Sequence, residues 1–122
     1  EILIGLVGSE MCIRDRSQTY FVTLAATEYL LSHHPEKSFL LNWGNVSGYD
    51  IESTDGEIIT ECFAATSYRS NGKLTADLKR LFSNQTAMYK YEFFFTGDFS
   101  EASKEYYENK YAGVCIVKLD LI

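Results

Sequence analysis

Proline is nearly missing from these 122 residues; Pro35 is the single example. The chain holds no linker, internal repeat or low-complexity tract. Its length suits one domain. Long apolar runs are also missing. None approaches the roughly 20 residues of a bilayer-spanning helix, and Ile2–Gly8 is too short, and lacks the basic flank, for a secretory signal. Cysteine occurs three times with no CxxC spacing, which argues against a disulfide framework and a cysteine metal site. Cys62 and Cys115 lie in apolar runs and read as buried reduced thiols, the usage of a cytoplasmic protein. There is no phosphate-binding loop, dinucleotide fingerprint, nucleophile elbow or HExxH helix. Cations are short as well. Eleven Lys and Arg face seventeen Asp and Glu, a net charge of −6, which is a poor electrostatic match for nucleic acid.

Not all of the chain reads as native. Leu6–Arg16 resembles a translated sequencing adapter: CTC GTG GGC TCG GAG ATG TGT ATA AGA GAC AGR encodes it in full. Residues 1–16 are therefore expected to be an artefactual segment. Residues 17–122 are expected to form a single domain whose N-terminus is truncated. The segment contains Glu1, Glu10 and Asp15 against Arg14 and Arg16, so −5 of the −6 belongs to the rest.

What is present is patterned as a small α/β domain. Tyr20–Leu31 has helical spacing, with Phe21, Leu24, Glu28 and Leu31 on one face, and ends before Pro35. His33 and His34 read as a solvated helix end. Phe39–Trp43 reads as a strand, with Trp43 in the core. Tyr49–Thr54 and Glu57–Ala65 flank Asp55-Gly56. Asp-Gly between two β-rich runs is a strong hairpin mark, because a type I′ turn needs positive φ at both positions. A two-residue turn there makes paired positions sum to 111, which sets Asp50 across from Glu61. Lys73–Phe82 is an amphipathic helix with Leu74, Leu78, Leu81 and Phe82 inward, capped by Ser70 or Asn71. Met88–Phe95 is an aromatic strand. Ser100–Asn109 is a helix with Ala102 and Tyr106 inward, and Val114–Leu121 is a last strand. The order is α-β-β-β-α-β-α-β, an α/β fold with a mixed sheet flanked by helices.

The facing acids carry the chemistry. Carboxylates opposed on a sheet have Cβ atoms about 5 Å apart and destabilise it. At about 4 Å the repulsion is about 4 kcal/mol with a dielectric near 20. A divalent cation offsets that, and hard oxygen ligands suit Mg²⁺; protonation of one acid also offsets it, as does a wet sheet face. Glu28, set among apolar neighbours, calls for a partner or for water. Tyr68–Lys73 is the locally basic, acid-free stretch, suited to phosphate through Arg69, Ser70, Asn71 and Lys73. Lys73 also pairs with Asp77 at i+4 if it is an ordinary surface lysine.

The α-β-β-β-α-β order, an Asp at the start of the second strand (Gly48-Tyr49-Asp50-Ile51) and an acid in the third (Glu61-Cys62-Phe63) resemble the PD-(D/E)xK, or restriction-endonuclease-like, superfamily. The resemblance implies a restriction-endonuclease-like core with a C-terminal α-β extension. It implies Mg²⁺, or Mn²⁺, held by Asp50 and Glu61 with Glu28 assisting, and DNA as substrate of a metal-dependent endonuclease of a restriction or mobile-element system, acting as a homodimer. The chain departs from the pattern at Phe63, where the superfamily has lysine. Lys73 or Arg69 would then supply the catalytic cation. The departure and the acidic charge leave two alternatives open. One is a catalytically inactive interaction module of the same fold. The other is an acidic immunity-type protein that binds a basic protein partner.

Overall fold

A computed structural model describes residues 10–42, 47–64, 72–95 and 100–119. Three helices and five strands follow the expected order: α1 (Glu10–His33), β1 (Phe39–Leu41), β2 (Ile51–Ser53), β3 (Ile58–Ala64), α2 (Lys73–Ser83), β4 (Tyr89–Phe95), α3 (Glu101–Lys110) and β5 (Val114–Lys118). The strands form one open mixed sheet in sequential order. β1, β2 and β3 are antiparallel neighbours; β3, β4 and β5 run parallel. The parallel half is the buried half, as crossover helices require. Its inner strands β3 and β4 carry fully covered Ile58, Phe63, Phe93 and Phe94.

Alternation along the strands divides the core in two. Ile59 and Phe63 of β3, Phe94 of β4 and Val114 and Ile116 of β5 pack under Leu74, Leu78 and Leu81 of α2. Ile51, Ile58, Cys62, Tyr91 and Phe93 point the other way, onto Val22, Ala26 and Leu30 of α1. α3 joins the first cluster through Tyr107, and its Ser100 caps it by accepting the Ser103 N–H at 3.1 Å. Glu108 of the same helix accepts the Ile116 N–H at 2.9 Å on the outermost strand.

Several expectations are corrected. α1 starts ten residues earlier than its periodic core suggests, at Glu10, since nothing between Glu10 and Thr19 is a helix breaker. Its covered face is Val22, Thr23, Ala26 and Leu30, while Phe21, Leu24 and Leu31 are 40–48% exposed. The helix is apolar on two sides, and the sheet takes the side with the smaller residues, which permits closer approach. His34 is buried, not solvated, and its Nε2 lies 2.9 Å from the Tyr91 hydroxyl. Cys62 is buried but Cys115 is exposed on edge strand β5. On α2, Phe82 stays half exposed and buried Asp77 joins the inward residues. Gly72 occupies the N-cap without a side-chain cap; Ser70 and Asn71 lie outside the described residues, as does Trp43. On α3, Ala102 and Tyr106 face water, and Tyr107 faces the core.

The hairpin keeps its register and changes its turn. Ile51 pairs with Thr60 and Glu52 with Ile59, so partners sum to 111. The reversing hydrogen bond is Gly56 N–H to Ser53 O at 2.9 Å, with Gly56 at φ +77. The loop is therefore Thr54–Glu57, not Asp55-Gly56 alone. Lengthening the loop by one residue on each side leaves the sum unchanged. Buried Ser53 locks this turn: its hydroxyl donates to Asp55 Oδ1 at 2.7 Å and accepts the Ile58 N–H at 2.9 Å. Lys37 spans Asp55 and Glu57 from outside, which holds the Asp55 carboxyl well below and the Lys37 ammonium well above their ordinary ranges. Ser53→Ala strands the buried Ile58 N–H. Urea unfolding should then show a loss of about 1–3 kcal/mol; an unchanged midpoint would show that the Ser53 hydroxyl is dispensable.

Candidate functional site: a row of carboxyl groups beneath α2

The two registers combine into one line. Asp50, one residue before β2, extends the 111 pairing to Glu61 on β3. Glu61 is in turn the Cα partner of Glu92 on β4. Glu61 is 2% exposed and Glu92 fully covered. Both lie in the layer that α2 covers, since Phe63 and Phe94, two residues on from each, belong to that cluster. α2 adds a fourth acid, Asp77, at 5% exposure. It also brings two bases on its own helical spacing: Lys73, four residues before Asp77, and Arg80, three after.

Each acid has a different partner. Asp50 Oδ2 accepts the Cys62 N–H at 2.8 Å, which ties it to the strand that carries Glu61. Glu61 Oε2 forms an ion pair with the Arg80 guanidinium. The same Arg80 Nη2 donates to the Gly48 carbonyl at 2.6 Å, and the guanidinium lies 5.4 Å from the centroid of the Tyr49 ring. Gly48 has φ +135, a conformation that side-chain-bearing residues avoid. Asp77 takes Lys73 Nζ with both oxygens, each at 2.9 Å. Glu92 meets another acid: its carboxyl group and that of Asp77 share a hydrogen bond in which Glu92 keeps the proton and donates.

These surroundings shift the acids together. Burial, followed by the Asp50 and Asp77 carboxyls, pushes Glu61 up to about 8, against the pull of Arg80. Burial and Asp77 raise Glu92 well above the carboxylate range. Burial raises Asp77 too, against Lys73. Lys73 is itself raised, because the field of Asp77, Asp50 and Glu92 outweighs its desolvation. Four acids against two bases leave the cluster two charges short of neutrality. Ionising all four beneath a helix is unfavourable without further positive charge.

The structure brings Asp50, Glu61 and Lys73 into this one neighbourhood. It does not bring Glu28, which is exposed on α1, across the sheet from the Glu61 layer. Arg69, Ser70 and Asn71 lie outside the described residues. Phe63 is 2% exposed and is a core residue under α2. Three members escape sequence reasoning. Glu92 sits in a strand that reads as aromatic core, Asp77 enters only as an i+4 partner of Lys73, and Arg80 is not singled out by the sequence at all. One signal was available for the last two: Lys73, Asp77 and Arg80 share a stripe of α2. Among the described residues no group of three His, Cys, Asp or Glu side chains converges as a ready ligand set, and no helix is long and apolar enough to cross a membrane. Comparisons with protein-family profiles, curated proteins and solved structures find no match.

The raised acids set the pH response. Unfolded, Glu61 loses its proton near 4.5; folded, near 8. Between those values the folded chain binds more protons than the unfolded one, so stability falls as pH rises, by up to about 1.4 kcal/mol per unit for one such group. Melting temperatures measured across pH 5–8 should decline, and Glu61→Gln should flatten the decline. A melting temperature that rises over this window would contradict the assignment.

Proposed function

We propose that the chain is a metal-dependent nuclease domain of the PD-(D/E)xK type, with DNA as substrate. The observation that carries this reading is the alignment of Asp50 with Glu61, both held from neighbouring backbone and side chains, beside the cationic end of α2. The observed α-β-β-β-α-β order, on which the resemblance rests, supports it as well. The donor atoms that Asp50 and Glu61 offer are carboxylate oxygens, which suit a hard divalent cation. Asp50 and Glu61 would hold Mg²⁺ or Mn²⁺. When bound, the ion would acidify a water and polarise the phosphodiester.

The chain's own groups set the rest. The Cys62 N–H fixes the Asp50 carboxylate against β3, where it is also hydrogen-bonded to the Glu61 carboxyl. Lys73 spends two hydrogen bonds on Asp77, and an ammonium has three donors. Its side chain is half exposed. One N–H therefore remains to meet a phosphate oxygen and oppose charge as it develops there. Lys73 thus takes the part that Phe63 cannot. Arg80 adds a second positive charge on the same helix face.

A second reading draws on specific observations. Phe63 is committed to the core, and Arg80 already sits against the Glu61 carboxyl. Both suit a catalytically inactive module that binds a basic protein, for which the acid excess would speed association. Asp50→Asn separates the readings. The amide oxygen still accepts the Cys62 N–H, so the fold is kept while the charge is lost. A nuclease should lose Mg²⁺-dependent cleavage of duplex DNA by about 100-fold or more, an effect of at least 2.7 kcal/mol on the barrier. Equal cleavage by Asp50→Asn and the parent would rule out the mechanism.

A further inference from the structure

Lys73 stands where a lysine is poorly supported. It opens α2, whose Gly72 N-cap brings no side-chain cap and whose first turn contains no acid. The positive end of a helix disfavours an ammonium, and a lysine loses much rotamer freedom when held in one place. Its Nζ is held nonetheless. Asp77, four residues on, takes it with both oxygens at 2.9 Å each. Asp77 is buried and Lys73 is half exposed. The placement of the ammonium is therefore only as fixed as the plane of the Asp77 carboxylate.

That plane has a second support, from the sheet. Glu92 lies in the middle of β4, between Glu61 of β3 and Ile116 of β5, and is wholly covered. Its carboxyl group is hydrogen-bonded to that of Asp77. Two carboxyl groups share a hydrogen bond only when one of them carries a proton. Asp77 is the one that grips an ammonium, so the proton belongs on Glu92 and Asp77 accepts. Asp77 then collects three donors, two from Lys73 and one from Glu92. An ionised Glu92 would do the opposite. It would stand beside Asp77 as a rival acceptor and draw the third Lys73 N–H inward.

We propose that Glu92 is a positioning residue for Lys73: as a neutral carboxylic acid it donates to Asp77, fixes the carboxylate that grips the ammonium, and leaves the third Lys73 N–H uncommitted. The relay runs from the rigid middle of the sheet, through a buried acid, to a half-exposed base. It carries the order of β4 out to the start of α2. Asp77 supplies the charge and Glu92 supplies the direction. The consequence for phosphodiester cleavage rests on the nuclease reading above, whereas the tether itself does not.

The test is competitive acetylation of the full chain with trace acetic anhydride near neutral pH, read lysine by lysine by mass spectrometry. Exposed Lys79 on the same helix is the internal standard, and melting temperatures check folding. Only the unprotonated amine reacts, so the rate reports how firmly the ammonium is held. Asp77→Asn should raise the Lys73 rate relative to Lys79 by about tenfold. Glu92→Met has similar length and no donor, and should raise it by about threefold. Glu92→Gln still donates, through its amide N–H, and should label Lys73 as the parent does. A parent-like Lys73 rate in folded Glu92→Met overturns the relay. A raised rate in Glu92→Gln also overturns it, whether or not Glu92→Met folds, because the donor would then not be what counts. Labelling in the expected order by a chain that cleaves no DNA would overturn the nuclease reading and leave the relay standing. Cleavage of DNA by a chain in which Glu92→Met leaves Lys73 labelling unchanged would overturn the relay and leave the nuclease reading standing.

Discussion

Burying a carboxyl group away from water obliges the surroundings to answer for its charge, and here Glu61, Asp77 and Glu92 are buried together with half-buried Asp50 beside them. The answers come from two elements, β3 and α2. A backbone amide of β3 serves Asp50, an arginine at the rim serves Glu61 and a lysine one helical turn from its partner serves Asp77. Glu92 is answered by a proton, which it keeps and donates to Asp77. Much else in the fold follows from this demand. α2 must carry its bases on the same stripe as its buried leucines, the chain before β2 must turn its Gly48 carbonyl toward Arg80, and the β2–β3 hairpin must hold its register, since a slip of one residue would turn Glu61 to the α1 side of the sheet.

The hairpin explains why part of the site was legible in the sequence. Asp-Gly between two β-forming runs fixes a local pairing whose arithmetic survives a longer loop, so Asp50 and Glu61 could be matched without coordinates. The element order was equally legible, because each helix and strand has a distinct period. The parallel pairing of β3 with β4 was not. Two parallel strands joined by a helical crossover carry no turn that sets their offset, so the match of Glu61 with Glu92 is a tertiary fact. The alternation in Tyr89-Lys-Tyr-Glu-Phe was visible, but nothing local said that the Glu92 face would be the covered one.

The misreadings share a cause. α1 has apolar residues on opposite sides, and periodicity alone does not rank two such sides. The sheet took Val22, Ala26 and Leu30 and left Phe21, Leu24 and Leu31 outside, which removed Glu28 from the site. On α2 the polar residues were assigned to solvent, although Asp77 is held inward by its lysine. Amphipathic reasoning treats charge as a marker of the outside. That fails where charged groups are paired with one another, which is where chemistry tends to be found.

The Glu108 carboxylate on the Ile116 N–H has a consequence of a different kind. Open sheets grow by recruiting another strand onto free amides at their margin. On the β1 side the margin is only three residues long. On the β5 side, one of those amides is already bound by a side chain of the preceding helix, so an incoming strand must first break a charge-assisted bond. The helix that completes the domain thereby also limits its width, and protects the molecule against indiscriminate self-assembly along that border.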